Sequence, residues 1–150
     1  MDIVLIGAGN VAFSVAHAIS TTFDHSVVAV YSRTARNADS LAAICDCTGV
    51  TNLSELPTNA HLYLIMIPDR VIPTIVDGLP PVQGVIAHTS GSTPLSALAK
   101  RSEPTAIFYP FQTFTRGRRV SLEGVPICIE ANSETEYSKL AELAQSLGSR

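Results

Sequence analysis

MDIVLIGAGNVAFSVAHAIS, residues 1–20, runs from a short apolar segment into two glycines and then into a helix-like pattern. Ile3–Ile6 is continuously apolar, as a strand buried on both faces requires. Val11 to Ser20 places Val11, Val15, Ala18 and Ile19 on one side of a helix. The joint between them, GAGNVA at residues 7–12, has the form G-x-G-x-x-A. Gly7 permits a tight turn, Gly9 lets the backbone approach a pyrophosphate, and Ala12 lets helix and strand pack together. The helix start at Asn10 and Val11 then offers unpaired N–H groups and a positive dipole end to phosphates. Gly7, Ala8, Gly9, Asn10 and Val11 are therefore the candidate pyrophosphate-binding residues, with a merely tight turn as the alternative.

Outward from this turn, strands and helices alternate. Val27–Tyr31 predicts a second strand, and Asn37 or Asp39 is positioned to cap a helix carrying Leu41, Ala42, Ile44 and Cys45. Leu62–Ile67 is the most hydrophobic strand, ending at Pro68-Asp69, before a helix over Val71–Leu79 made irregular at its start by Pro73. Val85–Ala87 precedes a helix entered through Thr93 and Pro94. Ala106–Tyr109 and Pro126–Ile129 predict two further strands. Ser133 and Glu136 form a capping box for a last helix with Tyr137, Leu140, Ala141, Ala144 and Leu147 as its apolar stripe and Gly148 as its stop. This alternation predicts an α/β fold with a doubly wound, mostly parallel sheet of the Rossmann NAD(P)-binding type over residues 1–150. Ligands of such sheets bind beyond the strands' C-terminal ends.

Which dinucleotide the turn would hold depends on the end of the second strand. NAD sites place an acid there, about 20 residues after the glycines. Here that position reads Tyr31-Ser32-Arg33-Thr34, with no carboxylate, and Asp24 falls before the strand. Ser32 and Thr34 offer hydroxyls, and Arg33 a planar fork matched to phosphate. NADP is the expected cofactor, and a solvated arginine loop is the alternative.

Composition narrows the class. The chain has 150 residues, enough for one domain with a substantial core. Hydrophobic residues make up 46% and charged residues 15%, and the mean hydropathy is +0.26. That apolarity fits strands buried on both faces or a surface awaiting cover. No apolar run reaches the ~20 residues of a membrane span. A strand beginning at residue 2 or 3 leaves no room for a signal peptide, so the expected location is cytoplasmic. A net charge of −3 and the absence of Trp give no case for nucleic acid. Cys45, Cys47 and Cys128 have no CxxC spacing and are expected to be buried or half-buried thiols; no metal site is expected. His17, His25 and His61 are expected to be structural or exposed. His88, at the end of the fifth strand, is the acid–base candidate, because imidazole titrates near neutrality and hydride transfer needs a proton partner. A merely hydrogen-bonded histidine in a helix-entry turn is the alternative.

GAGNVA together with YSRT (31–34), IMIPD (65–69), HTSGSTPL (88–95), FYPFQTF (108–114) and PICIEA (126–131) resembles the N-terminal half of a family classed as NADP-dependent oxidoreductases. That family is similar in turn to pyrroline-5-carboxylate reductases, 3-hydroxyisobutyrate dehydrogenases and prephenate dehydrogenases. The resemblance implies that Ile67, Pro68 and Asp69 run alongside the cofactor's ribose and nicotinamide, although Asp69 also suits a helix cap. It implies that Ser90, beside His88, is catalytic and that Gly91 holds substrate with it. Pro110 and Gln112 would line the substrate side, Tyr109 standing where the prephenate enzymes have histidine. Packing alone would account for Phe108 and Phe111. The basic loop Arg116-Gly117-Arg118-Arg119 would draw in an anionic substrate or simply be solvated. The family continues into a helical domain that closes over the nicotinamide and mediates dimerisation. The chain is thus expected to be the nucleotide-binding half of a homodimeric oxidoreductase acting on a small carbonyl, imine or hydroxyacid. A non-catalytic NADP-sensing or assembly module is the alternative.

Overall fold

In the computed structural model, which describes residues 1–149, β1 (Asp2–Ile6) is buried from Ile3 to Ile6. Its side chains alternate between two cores, Ile3 and Leu5 on one face and Val4 and Ile6 on the other. The remaining elements follow as α1 (Asn10–Ser20), β2 (Ser26–Tyr31), α2 (Ala35–Cys45), β3 (Thr48–Val50), β4 (Leu62–Ile65), α3 (Ile72–Gly78), β5 (Val85–His88), β6 (Thr105–Pro110), β7 (Ile127–Ala131) and α4 (Glu134–Ser146). Short 3-10 turns span Leu53–Glu55, Asp69–Val71 and Leu95–Leu98. The seven strands form one sheet in the order β3-β2-β1-β4-β5-β6-β7, parallel except for β7, which runs antiparallel to β6. Helices α1, α2 and α4 cover one face and α3 with its neighbouring 3-10 turns covers the other, so the sheet is doubly wound as expected. The strand order reverses between β1 and β4, and the C-terminal ends of the parallel strands open there.

Several local expectations are revised. Helix α2 begins two residues before Asn37, entered from Thr34, so neither Asn37 nor Asp39 caps it. β3 is an additional edge strand of only three residues. β4 ends at Ile65 rather than Ile67. Thr93 and Pro94 lead only into a 3-10 turn that has no side-chain cap, and the Ser90 hydroxyl instead accepts from the N–H groups of Ser92 and Thr93 before it, at 3.2 and 3.0 Å. In α4 the Ser133 hydroxyl accepts from the Glu136 N–H at 3.3 Å as the capping box requires. Its buried face includes Leu143, while Tyr137 is 44% exposed. Cys45 and Cys47 are half-buried free thiols that share a hydrogen bond, whereas Cys128 is exposed. That bond, with burial, pushes the Cys45 thiol up.

Arg101 links α3 to the strand that follows it. Its guanidinium donates to the carbonyls of Leu79 at 2.6 Å and Pro80 at 2.9 Å, and pairs with Glu103. Burial raises the Glu103 carboxyl, but Arg101 and the Val82 N–H outweigh it and hold the group below the usual carboxylate range. The stabilisation is therefore complete above the unfolded glutamate value and is lost as pH falls through the lowered one. Arg101→Ala is expected to cost about 3 kcal/mol in urea unfolding, because it leaves a buried carboxylate and three carbonyls without their partner.

Candidate functional site

The first helix is entered from Gly9 with no side-chain cap and no acid in its first turn. Its leading N–H groups are thus left without a side-chain partner, and the positive dipole end faces the sheet's open edge. Gly7 adopts φ +114°, and its N–H donates to the Tyr31 carbonyl at 2.8 Å, which ties the turn to the end of β2. A Cβ on Gly7 would stand 2.1 Å from the Met66 carbonyl oxygen, whereas one on Gly9 would meet nothing within 4 Å. Ala12 is fully buried against the sheet. The three small residues therefore do different work: Gly7 allows backbone to meet backbone, Ala12 allows helix to meet strand, and Gly9 keeps open the space above the turn.

That space is a cleft of about 250 Å³ at the switch point. Its floor is Gly7, Ala8 and Gly9, with Ser32, Arg33 and Thr34 on the β2 side and Ile67 and Pro68 on the β4 side. Tyr31, Asn37, Met66, Arg70, Val71 and Ile75, which sequence reasoning did not place at the site, complete the lining. Arg33 is exposed and has no ion pair among the described residues. Asn10 and Val11 form the first turn of α1 behind the cleft, and the Asn10 amide donates to the Phe114 carbonyl at 3.4 Å. Through that contact, and the Val120 N–H to Ser14 bond at 3.2 Å, the exposed basic loop is strapped along α1.

Asp69 turns away from the cleft. Its carboxylate accepts from the Ser92 hydroxyl at 2.7 Å, and this bond, reinforced by Ser90 and Thr93, holds the group below the usual carboxylate range. It thereby joins the β4 loop to the β5 loop. His88 closes β5 with 0% exposure. Its Nδ1 accepts from the Ser90 N–H at 3.2 Å, so Nε2 carries the proton and faces the Pro94 carbonyl at 3.4 Å. Burial pulls its pKa down against the raising influence of Pro94 and Asp69, and the ring is neutral at pH 7.

Ser90 and Gly91 border a second cleft of about 360 Å³, over the uncovered face of β6 and β7, where Gly91 lies against the Tyr109 ring. Pro110 is buried within β6, and Gln112 is exposed with its side-chain oxygen accepting from the Thr113 N–H at 3.0 Å. Neither lines the two clefts. His25 and His61 lie at the opposite edge of the sheet, and His17 packs edge-on against Phe13. Among the described residues no group of three or more His, Cys, Asp or Glu is arranged to hold a metal ion. No helix there is long and apolar enough to cross a membrane.

An open, mostly parallel sheet with a glycine turn and a cleft at its switch point defines a Rossmann-like domain. The Rossmann-like domain family matches residues 1–110, and the chain belongs to it. The chain is 34% identical to a Bacteroides fragilis protein provisionally named an NADP oxidoreductase, with a TM-score of 0.87 over 99% of this chain and 58% of that one. A 1-pyrroline-5-carboxylate reductase from Streptococcus pyogenes shares the fold at 17% identity and a TM-score of 0.79, over 99% and 56% of the two chains. So does a prephenate dehydrogenase from A. aeolicus in complex with hydroxyphenyl propionate and NAD+, at 13% identity and a TM-score of 0.72 over 100% and 58%. The chain thus spans somewhat more than half the length of each. None of the curated proteins matches it.

Proposed function

We propose that this chain is the NADP-binding domain of an oxidoreductase that moves a hydride between nicotinamide and a small carbonyl, imine or hydroxyacid. One observation carries the proposal: the cleft above the glycine turn is open where a Gly9 Cβ would stand, and it is walled by an unpaired guanidinium and no carboxylate. A dinucleotide phosphate fits that combination of space and charge. The provisional name of the B. fragilis protein and the NAD+ of the A. aeolicus enzyme support a nicotinamide cofactor.

In this reading the cofactor supplies the hydride chemistry, and the chain supplies binding and orientation. Gly7, Ala8, Gly9, Asn10 and Val11 receive the pyrophosphate through backbone N–H groups and the α1 dipole. Ser32, Arg33 and Thr34 receive the adenosine phosphate, while Ile67 and Pro68 guide the remainder along β4. Asp69 anchors the β5 loop through Ser92 rather than touching the cofactor. His88 and Ser90 give up their expected catalytic roles for positioning ones, because the ring nitrogens and the hydroxyl are already engaged in shaping residues 90–94. The acid–base group for the hydride step would then come from a helical second half or a partner subunit. The fully buried, neutral His88 also favours a second reading, a module that senses NADP without catalysis. NADPH consumption across a panel of small carbonyls and imines by the intact protein separates the two: tight binding without turnover selects the sensor.

Arg33→Ala tests the cofactor assignment directly. It is expected to weaken NADP about tenfold to a hundredfold in calorimetry, the worth of a charge-assisted hydrogen bond, and to leave NAD nearly unchanged. Equal losses for both would remove the phosphate role of Arg33.

A further inference from the structure

The switch-point cleft has a second guanidinium that the glycine turn and the β2 end do not account for. Arg70 sits in the 3-10 turn after β4 and lines the cleft together with Arg33. β2 and β4 lie on opposite sides of β1, so the two arginines stand on opposite walls. Neither makes an ion pair among the described residues, where the salt bridges are Lys100–Asp77, Arg101–Glu103 and Lys139–Glu136. Asp69, the carboxylate next to Arg70 in the chain, is held toward Ser92 and does not line the cleft. Two exposed positive side chains therefore face a shared space without a compensating acid, an arrangement that is repulsive until an anion enters.

We propose that Arg70 is a specificity-determining residue, forming with Arg33 a two-sided clamp for the phosphate on the adenosine ribose. This rests on the reading of the cleft as a nicotinamide-dinucleotide site, and it deepens that reading by charge matching. A ribose monophosphate carries close to two negative charges at pH 7. One guanidinium neutralises half of that charge, and two on opposing walls neutralise it fully. Each planar fork can also present paired N–H donors to phosphate oxygens. NAD, lacking that phosphate, gives the second arginine nothing to bind. Arg70 would thus widen the gap between the two cofactors rather than raise affinity for both.

The test is calorimetric titration of the intact protein and its Arg70→Ala and Arg70→Lys variants with NADP, NAD, and 2′,5′-ADP as a fragment bearing the same phosphate. The clamp predicts that Arg70→Ala weakens NADP and 2′,5′-ADP about tenfold while NAD changes less than about twofold, and that Arg70→Lys recovers part of the loss. The readout is the ratio of the two cofactor Kd values, which general damage to the fold would leave unmoved. If the wild-type protein binds NADP and NAD but Arg70→Ala weakens both alike or neither, Arg70 has no such role and the cofactor reading stands. If the wild-type protein binds neither nucleotide, the cofactor reading itself fails and takes the clamp with it.

Discussion

Gly9→Val is expected to yield a folded protein that no longer binds a dinucleotide. Gly9 has φ −86° and ψ −163°, extended backbone that any residue adopts, and a Cβ there contacts nothing in the chain. The substitution replaces one weak helix cap by a poorer one, a cost of at most about 1 kcal/mol and a melting shift of only a few degrees. The branched side chain would, however, fill the space above the turn and screen the α1 N–H groups from a pyrophosphate. Affinity for both NADP and NAD should fall more than about a hundredfold, beyond the loss of a single charged hydrogen bond. Calorimetry alongside a thermal melt checks both halves. Wild-type affinity in the variant would mean that no phosphate sits on this turn.

Gly7→Ala should do the opposite, failing before binding can be asked about. Its φ of +114° is a region L-residues rarely adopt, and the added methyl would overlap the Met66 carbonyl oxygen at 2.1 Å. Met66 cannot yield cheaply, because its N–H is bonded to the Ile6 carbonyl at 2.7 Å and its side chain is buried. A loss of at least about 4 kcal/mol in urea unfolding is expected, against a total of roughly 5–15 kcal/mol for a domain of this kind. A midpoint close to wild type would show that the β1–β4 approach relaxes without cost.

Why some of this was legible in the residues and some was not follows from what each signal depends on. β1 and β4 are buried on both faces, so their apolar runs are visible without knowledge of the neighbours. β3 is three residues, Thr-Gly-Val, with one side chain buried, and nothing local distinguishes it from a loop. In α4 the buried face runs through Leu140, Leu143 and Ala144 rather than Tyr137, a small rotation of the stripe that the helix period alone does not fix. β5 runs one residue beyond the predicted end at Ala87 and takes the His88 ring inside with it. No local pattern announces that the following turn will occupy both ring nitrogens. The glycine turn, Arg33 and the β4 loop are legible as cleft residues because each sits at a strand's C-terminal end. Arg70 stands one residue beyond Asp69 in a 3-10 turn rather than at a strand end, and only the fold brings it to the cleft. Arg101 and Glu103 belong to no motif, and only the fold brings the carbonyls of Val76 and Leu79 within reach of the guanidinium.

The contact of Gly7 with Met66 has a consequence for how such a cleft changes over generations. Its base is peptide units pressed against peptide units, and mutation exchanges side chains, not amides. Divergence is therefore channelled to the rims, where Arg33 and Arg70 arise from stretches 37 positions apart in the chain, 70 less 33. A descendant could remodel either rim, and with it the molecule it favours, while inheriting the same bedrock beneath.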